Sequence, residues 1–312
     1  MIVALAGGVG ASKFLRGLVQ ALPPEDVTIV VNTADDIELH GLWVSPDLDT
    51  VTYTLAGVSD REQGWGLAGE TWSCAESMDR YGMPTWFRLG DHDIGTHLFR
   101  TERLRAGATL TEVTAEITAA WGLAPRILPM SDDRVTNTIV CDVDGAGVPM
   151  HFQEYLVRRR MADPVLEVRY DGIGSAAPGP GVVDALATAR GIVVCPSNPV
   201  VSIEPILALA GVREAVAGRK VRCVGVSPIV DGAPVRGPAD RLLPAVGLEV
   251  SCAGVAQGYA GLLDSLVIDV ADAGRARDVE ATGIEAVVED TMMVDDDVAT
   301  ALAHTVLEHL EL

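Results

Sequence analysis

The chain begins with an apolar run that ends in a cluster of glycines. Residues 2–6 (IVALA) are all apolar, GGVG follows at 7–10, and a helical spacing of apolar residues continues over about 11–21. An apolar run of this length predicts a buried strand, and the 3.6-residue spacing after the glycines predicts a helix. The segment as a whole therefore predicts a strand, a tight turn and a helix.

The glycine turn is the first candidate for a binding site. Glycine lets the backbone approach a ligand closely, and the amino end of the following helix presents unpaired N–H groups to an anion. Gly7, Gly8 and Gly10 are not spaced as in the dinucleotide fingerprint or the Walker loop, although Lys13 follows them. The turn is thus either a site for a phosphate, such as that of a nucleotide, or a tight turn that binds nothing.

Strand and helix patterns alternate along much of the chain. Apolar, strand-like runs occupy residues 27–32, 191–199 and 220–230, and helical patterns precede the last two at about 181–190 and 205–217. This alternation predicts parallel strands joined by right-handed crossovers. The predicted fold class is therefore α/β, with a Rossmann-like, mostly parallel sheet.

A stretch of different character interrupts this alternation. Residues 59–121 contain no convincing buried strand, and we interpret them as a small all-helical insertion. Three helical patterns occur there, at about 69–81, 94–105 and 110–121. Residues 1–58 and 122–312 would then form the Rossmann-like nucleotide-binding core.

Two further regions have sheet or capping patterns. Residues 136–143 and 148–157 flank the turn DGAG, which predicts a β-hairpin, and residues 284–288 predict a last strand. Asp295 and the two aspartates after it precede a helical pattern that runs to Leu312. We assign this acidic run to the capping of a helix and not to metal binding.

Composition is typical of a globular protein. Hydrophobic residues make up 48% of the 312 residues, and no apolar run approaches the ~18 residues of a membrane span. No charged and apolar leader precedes the first predicted strand, so we expect a cytoplasmic protein that does not contact membranes. The five cysteines are scattered without C-x-x-C pairs, which favours buried thiols over disulfides or a zinc site.

The charge of the chain is strongly acidic. It has 44 acidic and 23 basic residues, a formal net charge of −21. This balance disfavours binding to nucleic acid. A protein this acidic that binds a phosphorylated substrate needs local positive charge, from helix amino ends, a few arginines or a divalent cation.

Aspartates form three early pairs that are candidates for metal binding. The pairs are Asp35 with Asp36, Asp47 with Asp49, and Asp91 with Asp93. Aspartates two residues apart in an extended chain point the same way, which suits Mg²⁺ bound to a diphosphate. Aspartate after proline or glycine is also a common turn residue, so each pair alone has this alternative. We expect the first two pairs at the sheet edge that also carries the glycine turn.

Other catalytic arrangements have little support. The six histidines show no H-E-x-x-H or H-x-H spacing, and Ser197 and Ser227 lie outside any G-x-S-x-G motif. A zinc site and a hydrolase triad are therefore disfavoured. The arginines at 158–160 either clamp a phosphate or form a solvated edge after a strand.

Seven sequence blocks, taken in order, resemble the 2-phospho-L-lactate transferase family (CofD type, called FbiA in mycobacteria). The blocks are AGGVGASKFLRGL, NTADDIELHGLWVSPDLDTVTYTLAG, RLGDHDIGTHLFR, LPMSDDRVTNTI, HFQEYLVRRR, PSNPVVSIEPIL and VSPIVDGAPVRGPADRLL, and they cover nearly the whole chain. Members of this family make the deazaflavin coenzyme F420. They move a phosphorylated three-carbon acid from a guanosine-diphosphate-linked donor to 7,8-didemethyl-8-hydroxy-5-deazariboflavin (Fo) and release GMP. The resemblance further implies Mg²⁺ as cofactor, a homodimer and a Rossmann-like core with a helical insertion.

The resemblance implies roles for residues of four kinds. The expected nucleotide-binding residues are Gly7, Gly8, Gly10, Lys13 and Asn198. The expected Fo-binding residues are Asp49 and Arg88. The candidate metal ligands, by chemistry as well as by resemblance, are Asp35, Asp36 and Asp47. The catalytic candidates are Asp47 and Asp49, of which Asp49 would orient or deprotonate the attacking hydroxyl of Fo.

The helical insertion is expected to supply part of the Fo pocket. It holds Trp65, Trp72 and Trp86, with Phe87 and Arg88 next to the last. A flat tricyclic ligand needs apolar and π surface on its faces and a few polar groups at its rim. The alternative is that these aromatic residues form a small core of the insertion itself.

A second class of function is a nucleotide-sugar-binding regulator of the YvcK type. Proteins of that type resemble this family in fold and in the N-terminal glycine turn. They lack the PDLDTVTYTLAG and HFQEY blocks, which favours the transferase. No residue of the sequence distinguishes among phospholactate, phosphoenolpyruvate and phosphoglycerate as the group that the donor carries.

Overall fold

A parallel seven-stranded sheet forms the centre of the protein, which confirms the predicted α/β, Rossmann-like fold. The structure is a computed structural model and describes all 312 residues, Met1–Leu312. The strands of the chain are β1 (Ile2–Ala6), β2 (Val27–Val31), β3 (Ile37–Leu39), β4 (Leu42–Val44), β5 (Arg126–Pro129), β6 (Thr136–Val143), β7 (Ala146–His151), β8 (Val165–Asp171), β9 (Gly191–Val194), β10 (Cys223–Val226), β11 (Ile229–Val230), β12 (Ala233–Pro234), β13 (Ser265–Asp269) and β14 (Glu285–Glu289).

Helices cover both faces of this sheet. The α-helices are α1 (Gly8–Ala21), α2 (Pro46–Leu55), α3 (Ser73–Arg80), α4 (Asp93–Arg105), α5 (Leu110–Ala120), α6 (Val182–Thr188), α7 (Glu204–Leu207), α8 (Val212–Ala217), α9 (Ala239–Ala245), α10 (Cys252–Gly258), α11 (Ala276–Glu280) and α12 (Asp296–His309). Short 3₁₀ segments occupy Pro24–Asp26 and Val270–Arg275, and short π-helical segments occupy Glu154–Arg158 and Pro199–Ile203. None of the helices combines the length and the apolar character that a membrane crossing requires.

The winding of the central sheet reverses at β1. The strand order is β14-β13-β10-β9-β1-β2-β5, so the chain moves from β1 to one side through β2 and β5, and later returns to the other side with β9. Ile2 on β1 lies opposite Val27 on β2 and opposite Gly191 on β9. In open α/β sheets, ligands bind beyond the carboxyl ends of the strands at such a reversal. The loops after β1 and β9 therefore mark the expected crevice.

Alternate residues of the central strands supply two separate cores. On β1, Val3 and Leu5 belong to the larger core, which includes residues of α6 to α11. Ile2, Ala4 and Ala6 belong to the smaller core, which includes residues of α1, α2 and α12. Because both faces are covered, β1 appears in the sequence as one continuous apolar run.

The second sheet is antiparallel, in the order β7-β6-β8. Strands β6 and β7 form the predicted hairpin, but β7 ends at His151 and the chain turns into a π-helical segment over Glu154–Arg158. The expectation of a strand up to residue 157 was therefore wrong. Strand β8 has no counterpart in the sequence prediction, because most of its residues are exposed and its apolar signal is weak. The short strands β3, β4, β5 and β13 are likewise absent from that prediction.

Three helices and no strand lie in the stretch 59–121, as the periodicity predicts. They are α3, α4 and α5, and a single bridge between Ser59 and Leu67 is the only strand-like pairing. Helix α4 packs against β4 and α5, whereas α5 packs against β5 of the central sheet. The insertion thus contacts the core through both α4 and α5, and its limits at residues 59 and 121 stay a prediction.

Candidate active site

The glycine turn closes against the loop that follows β9. Gly8 begins α1 with a φ of +75°, a left-handed conformation that glycine adopts without strain. The N–H of Gly7 donates to Ser197 Oγ at 3.1 Å. A Cβ on Gly7 would lie 2.7 Å from Asp47 Oδ2 and 2.7 Å from Ser202 Cβ, so a larger residue would displace one of them. The loops after β1 and β9 therefore meet where the winding of the sheet reverses.

Two buried carboxylates lie beside this turn. Asp47, in the first turn of α2, accepts a hydrogen bond from Asn32 Nδ2 (2.9 Å), and burial raises its pKa to about 6. Asp35, in the loop after β2, accepts one from Asn137 Nδ2 (2.7 Å). Burial, followed by the charge of Asp47, raises the pKa of Asp35 well above its usual value. Two desolvated carboxylates repel each other, and a bound divalent cation would remove that cost.

A third oxygen beside Asp35 also fits a cation. The amide nitrogen of Asn137 donates to Asp35 Oδ1 and to the carbonyl oxygen of Val201 (2.6 Å), and these two acceptors fix the orientation of the amide. Its Oδ1 is consequently buried without a hydrogen-bond partner. Carboxylate and amide oxygens are the donors that Mg²⁺ takes from proteins. The residues present therefore fit a magnesium ion.

Asp36 has a different set of partners from Asp35. Its Oδ2 accepts hydrogen bonds from Ser45 Oγ (2.7 Å) and from the indole of Trp43 (3.0 Å). Burial raises the pKa of Asp36 to about 7. The two adjacent aspartates therefore do not act as one pair, and the structure groups Asp35 with Asp47 instead. That Asp36 binds metal stays a prediction.

Asp47 and Asp49 do not point the same way, because PDLDT is helical and not extended. Pro46 is the first residue of α2, a position where proline is favoured. Residues two apart on an α-helix lie about 200° apart around its axis. Asp47 accordingly faces the glycine turn, whereas Asp49 forms a two-pronged ion pair with Arg100 of α4. The expectation that spacing brings these two carboxylates together was wrong.

Asp49 belongs to a buried polar network between α2 and α4. Arg100 Nη1 lies 3.3 Å from His97 Nδ1, and His97 Nε2 lies 3.3 Å from Asp93 Oδ2. Tyr53, one turn after Asp49 on α2, donates its hydroxyl to Asp93 Oδ1 at 2.7 Å. Ligand atoms of Asp49, Asp93 and His97 are near enough to share a cation, but the guanidinium of Arg100 already supplies that charge. We therefore assign this cluster to ion pairing.

Other charged candidates serve helix caps and surface ion pairs. Asp91 accepts hydrogen bonds from two backbone N–H groups at the start of α3, so it does not pair with Asp93. Arg158 pairs with Glu154 and Arg159 with Asp163, four residues away in each case. These contacts agree with the alternative of a solvated edge after a strand.

The remaining nucleotide-binding candidates differ in how they face the crevice. Asn198 follows β9, and its Oδ1 accepts from the N–H of Val200 (2.9 Å) while its Nδ2 is buried without a partner. That nitrogen is a donor available to a phosphate oxygen. Gly10 packs against the backbone of the same loop. Lys13 extends instead towards the segment after β14, where its Nζ lies 3.5 Å from the carbonyl oxygen of Met293.

Four of the residues expected at the Fo pocket fall into two groups. Trp86 and Phe87 meet edge to face at 5.8 Å between ring centroids and pack against a small cluster around Leu89. Arg88 is exposed, and its guanidinium carbon lies 4.0 Å from the centroid of the half-buried Trp72 ring. The first group thus packs the insertion against β3 and β4, and the second forms an accessible cation–π surface.

Several residues that build this site are not among the site residues predicted from the sequence. They are Asn137, Ser197, Tyr53, His97 and Arg100. Asp93, His97 and Arg100 recur at helical spacing on one face of α4, which is the only signal that links them in the sequence. A polar face of a helix is normally solvated, and nothing local shows that this one is buried against α2.

Comparison with known proteins matches this chain to one family over almost its full length. The chain matches the family model for 2-phospho-L-lactate transferase CofD over residues 2–307. The phosphoenolpyruvate transferase of Streptomyces griseus is 49% identical over 312 residues, which cover 99% of this chain and 98% of that protein. The 2-phospho-L-lactate transferase of Methanosarcina mazei is 39% identical over 307 residues, which cover 98% of this chain and 99% of that protein.

A solved structure shares the fold at low sequence identity. The crystal structure of a Bacillus halodurans protein of the UPF0052 family superposes with a TM-score of 0.64 at 18% identity, over 98% of this chain and 99% of that one. At that identity the likeness concerns the fold alone. The family match over almost the full length is decisive, and we conclude that this chain belongs to the 2-phospho-L-lactate transferase family of the CofD type.

Proposed function

We propose that this protein transfers a phosphoenolpyruvate group from a guanosine-diphosphate-linked donor to Fo, with release of GMP, in the biosynthesis of coenzyme F420. The carrying observation is the pair of buried carboxylates, Asp35 and Asp47, beside a glycine turn at the reversal of a Rossmann-like sheet. Such a site suits a diphosphate with a divalent cation. The choice of three-carbon acid follows relatives named phosphoenolpyruvate transferase, which are 46–49% identical to this chain.

The reaction exchanges one phosphorus–oxygen bond for another. The terminal ribityl hydroxyl of Fo attacks the phosphorus that carries the three-carbon acid, and the bond from this phosphorus to the bridging oxygen of the diphosphate breaks. GMP leaves with that oxygen, and the proton of the hydroxyl passes to a base. Such phosphoryl chemistry depends on positioning and on charge neutralisation more than on a covalent nucleophile.

The residues of the crevice divide these tasks. Backbone N–H groups of the glycine turn and Nδ2 of Asn198 would bind the diphosphate oxygens. Asp35, Asp47 and Oδ1 of Asn137 would hold Mg²⁺, which when bound would neutralise the charge of the diphosphate. Asp49 would orient the ribityl hydroxyl or take its proton, and Arg88 would contact Fo from the insertion.

The test is a transfer assay with defined donors. Purified protein is mixed with Mg²⁺, Fo and one guanylated donor that carries phosphoenolpyruvate, phospholactate or phosphoglycerate, and the products are identified by mass spectrometry. We expect the Fo adduct and GMP in equal amounts, fastest with the phosphoenolpyruvate donor. Faster transfer from another donor would mean that the natural donor carries that other three-carbon acid. A protein that binds nucleotide but leaves Fo unbound and unmodified would instead be a regulator of the YvcK type.

The proposal includes a homodimer, as the family resemblance implies. Light scattering behind size-exclusion chromatography measures the mass of the particle, and we expect twice the 32.8 kDa of one chain. A mass of one chain at assay concentration would remove the dimer from the proposal and leave the chemistry unchanged.

A further inference from the structure

One arginine of the insertion is buried as deeply as the hydrophobic core. The side chain of Arg100 is only 2% exposed, and both of its terminal nitrogens contact the two carboxylate oxygens of Asp49. The same guanidinium is also influenced by the charge of Asp36, the carboxylate that accepts hydrogen bonds from Ser45 and Trp43. Arg100 is thus the one cation that the structure places against these two acids.

Side chains other than Asp49 also hold the guanidinium of Arg100 in place. A guanidinium can only donate, so the contact of Arg100 Nη1 with His97 Nδ1 makes that ring nitrogen the acceptor. A neutral His97 then carries its hydrogen on Nε2, which lies 3.3 Å from Asp93 Oδ2. Tyr53 completes the chain by its bond to Asp93. The guanidinium of Arg100 and the hydroxyl of Tyr53 are thus held by partners on α2 and α4, whereas Nε2 of His97 lies near Asp93 without a hydrogen bond.

We propose that Arg100 is a positioning residue, which holds the carboxylate of Asp49 in the orientation required by the attacking hydroxyl of the acceptor. This inference rests on the proposed function, because it concerns the step in which that hydroxyl reacts. A planar guanidinium binds both oxygens of a carboxylate at once and so fixes its rotation, which a lysine ammonium does not do. The insertion thereby contributes to the chemistry through α4, in addition to covering the acceptor.

A purely structural ion pair would give a different result from a positioning pair. If Arg100 only fastens α4 to α2, its loss should lower stability and affect both substrates alike. If it positions Asp49, its conservative replacement should impair the transfer step and spare the donor. The effect should also disappear once Asp49 itself is gone, because Arg100 then has nothing to position.

The experiment is a double-mutant cycle built on Arg100→Lys. This substitution keeps the buried positive charge and removes the planar guanidinium that binds both carboxylate oxygens. We expect Arg100→Lys to lower kcat with Fo at least about tenfold and to leave the Kd for GDP within about twofold. In the Asp49→Asn background, which should itself be slower by about a hundredfold, Arg100→Lys should lower kcat by less than about twofold further. Independent losses that multiply in the double variant would overturn the inference.

A neighbouring residue provides the matched control. Thr101 also joins α4 to the core, through the N–H of Trp43 (2.7 Å), without touching Asp49. Thr101→Val should lower the melting temperature comparably and leave kcat within about twofold. An equal loss of kcat in Thr101→Val would mean that general loosening of α4, and not Asp49, is the cause.

Two further results distinguish a failure of this inference from a failure of the proposed function. If Arg100→Lys fails to fold, the charge-neutral pair Asp49→Asn with Arg100→Gln replaces it, and its kcat should equal that of Asp49→Asn within about twofold. A further loss of kcat in that pair would contradict the inference. Absence of transfer to Fo by the wild-type protein would contradict the proposed function itself. Normal transfer by both wild type and Arg100→Lys would contradict only the positioning role.

Discussion

The burial of Asp35 and Asp47 lowers the free energy of unfolding of a chain whose formal net charge is already −21. Both are buried, and the amides of Asn32 and Asn137 are the side-chain donors that face them. Burial therefore raises the pKa of Asp47 to about 6, and it raises the pKa of Asp35 well above its usual value. Carboxylates in such an arrangement are typical of functional sites, because a stable fold alone would not require them.

The first prediction concerns Asp47. We expect Asp47→Asn to lower turnover by about a hundredfold and to weaken the binding of Mn²⁺, a paramagnetic substitute for Mg²⁺, because a metal-ligating carboxylate is lost. Transfer assays and electron paramagnetic resonance measure the two effects. Asp91→Asn, at the exposed cap of α3, is the control and should change neither quantity beyond about twofold. Unchanged Mn²⁺ affinity in a folded Asp47→Asn protein would rule out its role as a ligand.

The second prediction concerns the glycine turn. We expect Gly8→Val to weaken GDP binding at least about tenfold, because a β-branched residue is strained at a φ of +75° and keeps the backbone away from the phosphates. Gly122→Val is the matched control, since Gly122 has a φ of +66° with open space around it, after α5. Both variants should lose stability, but only Gly8→Val should lose affinity in calorimetry. Equal GDP affinity in the two would reduce the turn to a structural role.

At the scale of elements, helix α2 explains how one short motif reaches two sites. Its first turn carries Asp47 towards the glycine turn and Asp49 towards α4, because neighbouring positions on a helix face different directions. Helix α4 then supplies the buried partners of Asp49. The insertion and the core are thus connected by polar contacts as well as by the packing of α5 on β5.

The third prediction belongs to the insertion. Arg88 stacks on Trp72 at an accessible surface, and we expect Arg88→Ala to raise the KM for Fo several-fold while GDP binding stays within about twofold. This is the pattern of a lost substrate contact. Arg80→Ala, an exposed arginine at the end of α3, should leave both constants unchanged. If Arg88→Ala instead weakened GDP binding and spared Fo, the insertion would have to be reassigned to the nucleotide side of the crevice.

For the whole molecule, the buried acids should make stability depend on pH and on Mg²⁺ together. Burial raises the pKa of Asp47 from 3.8 to about 6, so the native protein binds this proton more tightly than the unfolded chain. The stability that this group contributes is present in full below about pH 4 and is lost as the pH rises through about 6. A divalent cation that binds only the native protein should restore it at the higher pH.

The fourth prediction follows from this linkage. In EDTA, the free energy of unfolding of Asp47→Asn relative to wild type should increase between about pH 4.5 and about pH 7.5, because the asparagine is never charged. Saturating Mg²⁺ should shrink that difference at the higher pH, since it stabilises wild type more than the variant. Urea denaturation followed by circular dichroism measures both. A difference that is independent of pH would contradict the raised pKa of Asp47.

Hydrophobic periodicity alone was sufficient for the α/β class and for the elements with the strongest patterns. The continuous apolar run of β1, the glycine turn and the helical patterns of the insertion are local features, and the structure has each of them in place. Strands with a weak or short hydrophobic pattern were not predicted, as for the exposed strand β8 and the four-residue strand β5. The end of β7 was predicted wrongly because the pattern after His151 suits a strand as well as a helical turn.

The candidate site was predictable to the extent that topology dictates it. From the sequence, the rule for parallel sheets placed the glycine turn, Asp35 and Asp47 at one edge, and the family resemblance added Asn198. The order of the strands came only from the structure. The partners of these residues were decided only by tertiary structure. Asp35 meets Asn137, which is 102 positions away, and Asp49 meets Arg100, which is 51 positions away. Sequence patterns report which face of an element is buried, whereas the partner of a buried polar group depends on how distant elements pack.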